Sequence, residues 1–85
     1  MNKNYTVDCY IEYVHDETKY ENGVLTGSVE EKRTFESVIV SARNKENAVL
    51  KAIDFYNDAD NTAFVLGLTN VIRSKVIGIS SVRKG

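Results

Sequence analysis

The sequence predicts an α+β domain of ββαβ order: a three-stranded, mostly antiparallel sheet, one main helix on one face, and a long β-hairpin arm. Three observations carry that expectation. Residues from Tyr5 to Tyr13 alternate with a period of two, Asn22-Gly23 sits between two strand-like runs, and Asn44 opens an apolar pattern of helical period. Alternation marks a half-buried strand, Asn-Gly marks a tight hairpin, and an Asn before a 3.6-residue period marks a helix start.

In the first strand Tyr5, Val7, Cys9, Ile11 and Tyr13 share one face, and Thr6, Asp8, Tyr10 and Glu12 share the other. Asn-Gly is favoured in a type I′ turn because both central residues need positive φ. If that turn forms, opposite residues sum to 45. Tyr5 then meets Val40, Val7 meets Val38, Tyr10 meets Phe35, Glu12 meets Arg33 and Thr6 meets Ile39. Apolar, aromatic and ionic pairs from one turn agree, and each such pair contributes roughly 0.2–1 kcal/mol. Cys9 opposite Glu36 is the awkward pair, since it sets a carboxylate on the core face. A bulge near Gly27-Ser28 would shift the register and remove it.

Asn44 caps a helix expected to run to about Asn57. Val49, Ala52, Ile53 and Tyr56 recur at helical spacing, while Asn47, Lys51, Asp54 and Asp58 cover the far side. Residues 63–68 are a short helical turn or an apolar loop, and the sequence does not decide between them. The last strand runs from about Val71 to Arg83. Ile72, Val76, Gly78 and Val82 are expected beneath the helix, with Gly78 allowing its close approach. Arg73, Lys75, Ile77, Ile79 and Arg83 are expected on the outer face. This strand can lie antiparallel beside the first, or parallel beside the second through a right-handed crossover; the crossover rule tilts the expectation to a mixed sheet.

Length and composition bound the rest. Eighty-five residues make one domain, residues 1–85. At 42% hydrophobic and 27% charged residues the chain reads as globular rather than disordered. No apolar run approaches the ~18 residues that span a bilayer, and no leader core follows Met1, so a cytoplasmic protein is expected. A single cysteine excludes an internal disulfide. The net charge is −1. It is uneven: residues 1–42 carry four cations against eight carboxylates, and residues 43–85 carry seven against four.

Catalytic and cofactor chemistry find no support. His15, Asp16 and Glu17 are consecutive, point in different directions and lack a second histidine, so a solvated turn is the plain reading. Cys9 falls on the core face without a neighbouring base. The five glycines form neither a Walker loop nor a dinucleotide fingerprint. No enzyme activity, metal or cofactor is expected.

Three surfaces remain. A helix of about 13 residues covers only ~20 Å, or roughly six strand residues, so the hairpin should outrun it. That arm holds Asp16, Glu17, Glu21, Glu30 and Glu31 against Lys19. It is either an ordinary solvated hairpin or an acidic docking finger for a basic protein, with Tyr20, Val24 and Leu25 as anchors. Tyr10, Phe35, Ile39, Ile77 and Ile79 form an apolar set on a sheet face with no helix over it. That points to self-association as a dimer through this face or through an open sheet edge, with Phe55 and residues 64–68 as other contributors. Arg73, Lys75, Arg83 and Lys84 could meet nucleic-acid phosphates, although Asp8 and Glu12 lie nearby.

Val38-x-Val40-x-Ala42, the Asn44 cap and Ala48-Val49-x-x-Ala52-Ile53 between short strands resemble small accessory proteins of phages and other mobile elements. The resemblance covers about half the chain and carries no functional residue across. It implies a non-catalytic protein-binding module, an inhibitor of host defence in the manner of anti-CRISPR proteins that present acidic surfaces to nucleic-acid-binding enzymes, acting in the host cytoplasm. The alternative is a small nucleic-acid-binding protein that uses the basic last strand.

Overall fold

The structure is a computed structural model describing residues 1–85. Its elements are β1 (Lys3–Asp16), β2 (Lys19–Glu21), β3 (Val24–Thr26), β4 (Val29–Ala42), α1 (Lys45–Tyr56), α2 (Ala59–Leu66) and β5 (Val71–Lys84). The three long strands form one sheet in the order β4-β1-β5, and β2-β3 form a separate two-stranded ribbon. Every pairing is antiparallel, so the expected mixed sheet does not form. The return through α1 and α2 carries the chain past β4 and lays β5 on the far side of β1.

The turn fixes β4. Asn22 and Gly23 adopt φ of 52° and 79°, the left-handed pair that a type I′ turn requires. Partners keep the sum of 45 from Lys3↔Ala42 to Asp16↔Val29 and again through Lys19↔Thr26. No bulge intervenes, so Cys9 does oppose Glu36. Glu36 is tolerated because β4 is an edge strand: its carboxylate is half-buried and accepts the Thr34 hydroxyl at 2.7 Å.

The core lies between the sheet and α1. Val7, Cys9 and Ile11 are fully buried beneath Ala48, Ala52 and Tyr56. The two alanines let the helix backbone settle close to the strands, and Tyr56 fills the remaining space. Its hydroxyl escapes to the β4 edge and donates to the Ser37 carbonyl at 2.9 Å. Asn44 caps α1 as expected, accepting the Asn47 N–H at 2.9 Å.

Residues 59–66 are a second helix, where the sequence left the neighbouring run 63–68 open and suggested a single main helix. Asp58 stands one position past the C-cap of α1 and is itself the N-cap of α2, accepting the Asp60 N–H at 2.8 Å. Gly67 ends α2 at φ 67°. Thr62 is completely buried and pins α2 inward, donating to the Tyr56 carbonyl at 3.0 Å and touching the Ser74 hydroxyl at 2.8 Å.

β5 departs from the expected alternation. Its register with β1 shifts between Asp8 and Cys9, between Tyr10 and Ile11, and between Val14 and His15. Each shift slips one residue out of phase and exchanges the faces. Val76, Ile79 and Val82 consequently pack on the core, whereas Gly78 lies opposite Tyr10 on the outer face. Three expectations are corrected: Ile79 is no part of the outer set, Gly78 does not sit under the helix, and Ile72, left out of the pairing at the third shift, is exposed rather than beneath the helix.

Candidate functional site

The uncovered face of the sheet gathers most of the notable side chains. Even-numbered residues of β1 line its centre and odd-numbered residues of β4 flank them. Tyr10 and Phe35 stack across the strands with ring centroids 4.9 Å apart and planes at 52°. On the other flank Gly78 leaves room for the tyrosine ring, whose Cδ2 would stand 3.5 Å from a Cβ there. Tyr10, Phe35, Ile39 and Ile77 retain 48, 51, 69 and 44% of their exposure. Four of the five residues expected in the apolar set are therefore present, and Ile79 is lost to the core.

Two carboxylates of the central strand tie this face together. Asp8 is buried and accepts the Ser37 hydroxyl from β4, the Ser81 hydroxyl from β5 and the Arg83 guanidinium at 3.1 Å. The two serine hydroxyls, then the arginine charge, hold its carboxyl below the usual aspartate range. Glu12 lies 3.3 Å from Arg33 of β4 and 3.6 Å from Lys75 of β5. Each carboxylate thus bridges three strands. Sequence pairing foretold Glu12 with Arg33 but missed the Asp8 cluster, because the Ser81 partner depends on the shifted register of β5.

The basic strand is not an open cationic surface. Lys75 and Arg83 are engaged by Glu12 and Asp8. Lys84 pairs with Tyr5, whose side chain points to the helix side, so it does not join the others. Arg73 makes no ion pair, and it lines a depression of about 220 Å³ with Lys75, Glu12, Glu31 and Val14. Two carboxylates beside two cations leave that depression close to neutral.

The arm is shorter and less acidic in effect than expected. Residues up to Asp16 and back from Val29 belong to the main sheet, and β5 still pairs with it as far as His15↔Val71. Only the β2-β3 ribbon projects, with Tyr20, Val24 and Leu25 exposed near its turn. At its base Glu17 takes Lys32 at 2.8 Å, and the lysine draws the Glu17 carboxyl below its ordinary range. Glu30 lies 3.6 Å from the same lysine and Glu21 lies 3.0 Å from Lys19. Asp16 accepts the Thr18 backbone N–H at 2.9 Å and the Thr18 hydroxyl at 2.5 Å. Glu31 alone among the five lacks such a partner.

His15 is a strand residue with a side chain 13% exposed, not a solvated turn. Its Nδ1 lies 3.2 Å from Glu17 Oε1 but is not aligned for a hydrogen bond. Cys9 is wholly buried, and burial, then the Asp8 charge, pushes its thiol up to about 11. Such a thiol is a packing group rather than a nucleophile at neutral pH. No group of three or more His, Cys, Asp or Glu side chains is placed to hold a metal. No helix is long and apolar enough to cross a membrane. Outside the sheet face, α2 exposes Phe64 and Val65, within the segment that the sequence offered as another contributor to self-association.

Compared with family models, curated proteins and solved structures, the chain shows no match.

Proposed function

We propose that the protein is a small non-catalytic binding module that docks a partner protein on its uncovered sheet face. The band of Tyr10, Phe35, Ile39 and Ile77 carries this reading. Aromatic and aliphatic side chains at the centre, with Arg33, Lys75 and Arg83 held by carboxylates around them, match the anatomy of an interface: an apolar middle and a polar rim. The cross-strand bridges of Asp8 and Glu12 keep that surface rigid, which lowers the entropy lost on docking. Tyr20, Val24 and Leu25 offer a second, smaller contact at the ribbon. The inhibitor form of this reading draws on the resemblance of residues 38–53, and the internal pairing of the arm's carboxylates moves the emphasis from the arm to the sheet. The nucleic-acid alternative is disfavoured by the engagement of Lys75 and Arg83.

The test is a paired capture from cells of the native host with the wild-type chain and the Tyr10→Ser/Ile77→Ser variant. Both side chains are surface residues, so the variant should keep the wild-type circular dichroism. A partner held by the wild type and lost by the variant supports the reading. Equal capture by both, or capture by neither, removes it.

A further inference from the structure

The two edges of the sheet are not equivalent. β5 is closed as an edge: its register slips three times, and the Asn57 side chain takes the Val76 N–H at 3.0 Å. β4 runs in unbroken register along β1 and carries neither a bulge nor a proline. Bulges and prolines are two of the devices that blunt natural edge strands. β4 relies on a third, charge, at Glu30, Glu31, Lys32, Arg33 and Glu36, which an edge of matching charge satisfies rather than repels.

The ladder shows which backbone groups of β4 are open. Glu17 N–H donates to the Ser28 carbonyl on the β4 side, while the Asn4 carbonyl accepts from Gly85 on the β5 side. Odd-numbered groups on this side of the hairpin therefore face the β4 side, and even-numbered groups of β1 face β5. Their partners follow: on β4 the even-numbered residues bond inward, and the odd-numbered residues turn N–H and C=O to the open edge. Two of those outward carbonyls are met from the helix layer, Ser37 by the Tyr56 hydroxyl and Ser41 by the Lys51 ammonium. From Val29 to Phe35 nothing in the chain meets them.

We propose that this open stretch pairs antiparallel with β4 of a second copy of the chain, about a two-fold axis at Thr34, to make one continuous sheet. The sequence of the edge supports that occupant. Centred on Thr34, Lys32 opposes the partner copy's Glu36, Arg33 opposes its Phe35, Glu31 opposes its Ser37, Glu30 opposes its Val38 and Val29 opposes its Ile39. The Ser37 carbonyl, which already accepts the Tyr56 hydroxyl, has a second lone pair for the ladder. Opposite charges and apolar groups meet, and a cation meets a ring. Neighbouring registers are worse. An axis at Glu31, Lys32 or Arg33 sets a charged residue against itself. An axis at Phe35 sets Glu30, Glu31 and Lys32 against Val40, Ile39 and Val38 with no opposite-charge pair, where the Thr34 axis leaves only Glu30 against Val38. The arrangement also gives Glu36, which has only the Thr34 hydroxyl within the chain, a cationic partner. Because α1 reaches the β4 edge at Ser37 and Ser41, an axis at Thr34 sets the two helices toward opposite ends, clear of each other. The pairing uses the backbone edge rather than the Tyr10–Ile77 band, so it and the docking reading can fail separately.

Sedimentation equilibrium of the full chain tests the pairing, with a dimer expected. Glu31→Pro removes an outward N–H and no ladder bond, a position where an edge strand tolerates proline, and it breaks no ion pair. That variant should keep the wild-type circular dichroism and sediment as a monomer. Independently, Thr34→Cys in a Cys9→Ala background should cross-link two chains on mild oxidation. At the axis the two residues form a non-hydrogen-bonded pair with Cα atoms about 4.5 Å apart, within disulfide reach. Lys32→Cys should cross-link much less. A wild-type monomer at the highest soluble concentration overturns the proposal. So does a Glu31→Pro dimer, or a Lys32→Cys cross-link that forms more readily than the Thr34→Cys one.

Discussion

β1 has two flanks, and they are built by different rules. Toward β4 all fourteen pairs keep one register, set by a turn a few residues away. Toward β5 the register slips three times, and the strand arrives only after both helices have been laid down. A local turn dictates alignment by chain geometry alone. A distant strand must satisfy the core, the α2 contact through Thr62 and Ser74, and the Asp8 cluster together, and bulges reconcile those demands.

The sharpest way to probe that difference is a pair of substitutions on β5. Ile79→Ala removes a side chain that packs on the core and should cost about 2 kcal/mol. Ile77→Ala removes one that is 44% exposed and should stay within about 0.5 kcal/mol of wild type. Urea unfolding of both variants measures the contrast. Equal losses would mean that β5 alternates without bulges. On the other flank, Gly27 closes the junction between the main sheet and the ribbon at φ 81°, and a Cβ there would run into the Glu17 carbonyl oxygen. Gly27→Ala should cost roughly 1–2 kcal/mol, the penalty for left-handed backbone in an L-residue. The loss should be concentrated at the ribbon, read as faster amide exchange at Lys19–Thr26 with the β1-β5 pairing unchanged.

The smallest effect is a pH slope from the strand that both flanks share. The Cys9 thiol titrates near 9.0 when unfolded and at about 11 when folded, so the unfolded chain ionises first as pH rises. Stability should therefore decline between those two values and level off above the higher one. Tyr56, raised to about 12 by burial and then by Glu36, adds a further decline from pH 10.0. Cys9→Ala should remove the first part of the slope, measured as the urea midpoint at stepped pH, and leave the second.

The contrast between the flanks also explains what could be read in the sequence. Asn22-Gly23 specified the hairpin pairing completely, including the uncomfortable Cys9–Glu36 pair, because one turn and a period of two leave no freedom. Asn44 and the apolar stripe specified α1 in the same local way. The faces of β5 were not legible, since an isolated glycine such as Gly78 fits a bulge and a close backbone approach equally well. α2 was obscured because Asp58 lies just past the end of one helix and caps the next. Of the surfaces, the Tyr10–Phe35 pair followed from the hairpin alone. The Asp8 cluster, which needs β5, did not. Charge counting overstated the acidic arm because it could not see Lys32 reach Glu17 and Glu30.

Placing the first strand at the centre has a kinetic consequence. Tyr5 faces Val40 on one side and Lys84 on the other, so its two ladders close loops of very different length. Loop-closure entropy delays the distant one, and non-local strand pairing is the slow part of folding. The hairpin therefore forms a template early, and an unfinished chain carries Val7, Cys9 and Ile11 on a strand with one bare side until residues 71–84 dock. The strand that docks last is therefore the one that closes the exposed flank of the template.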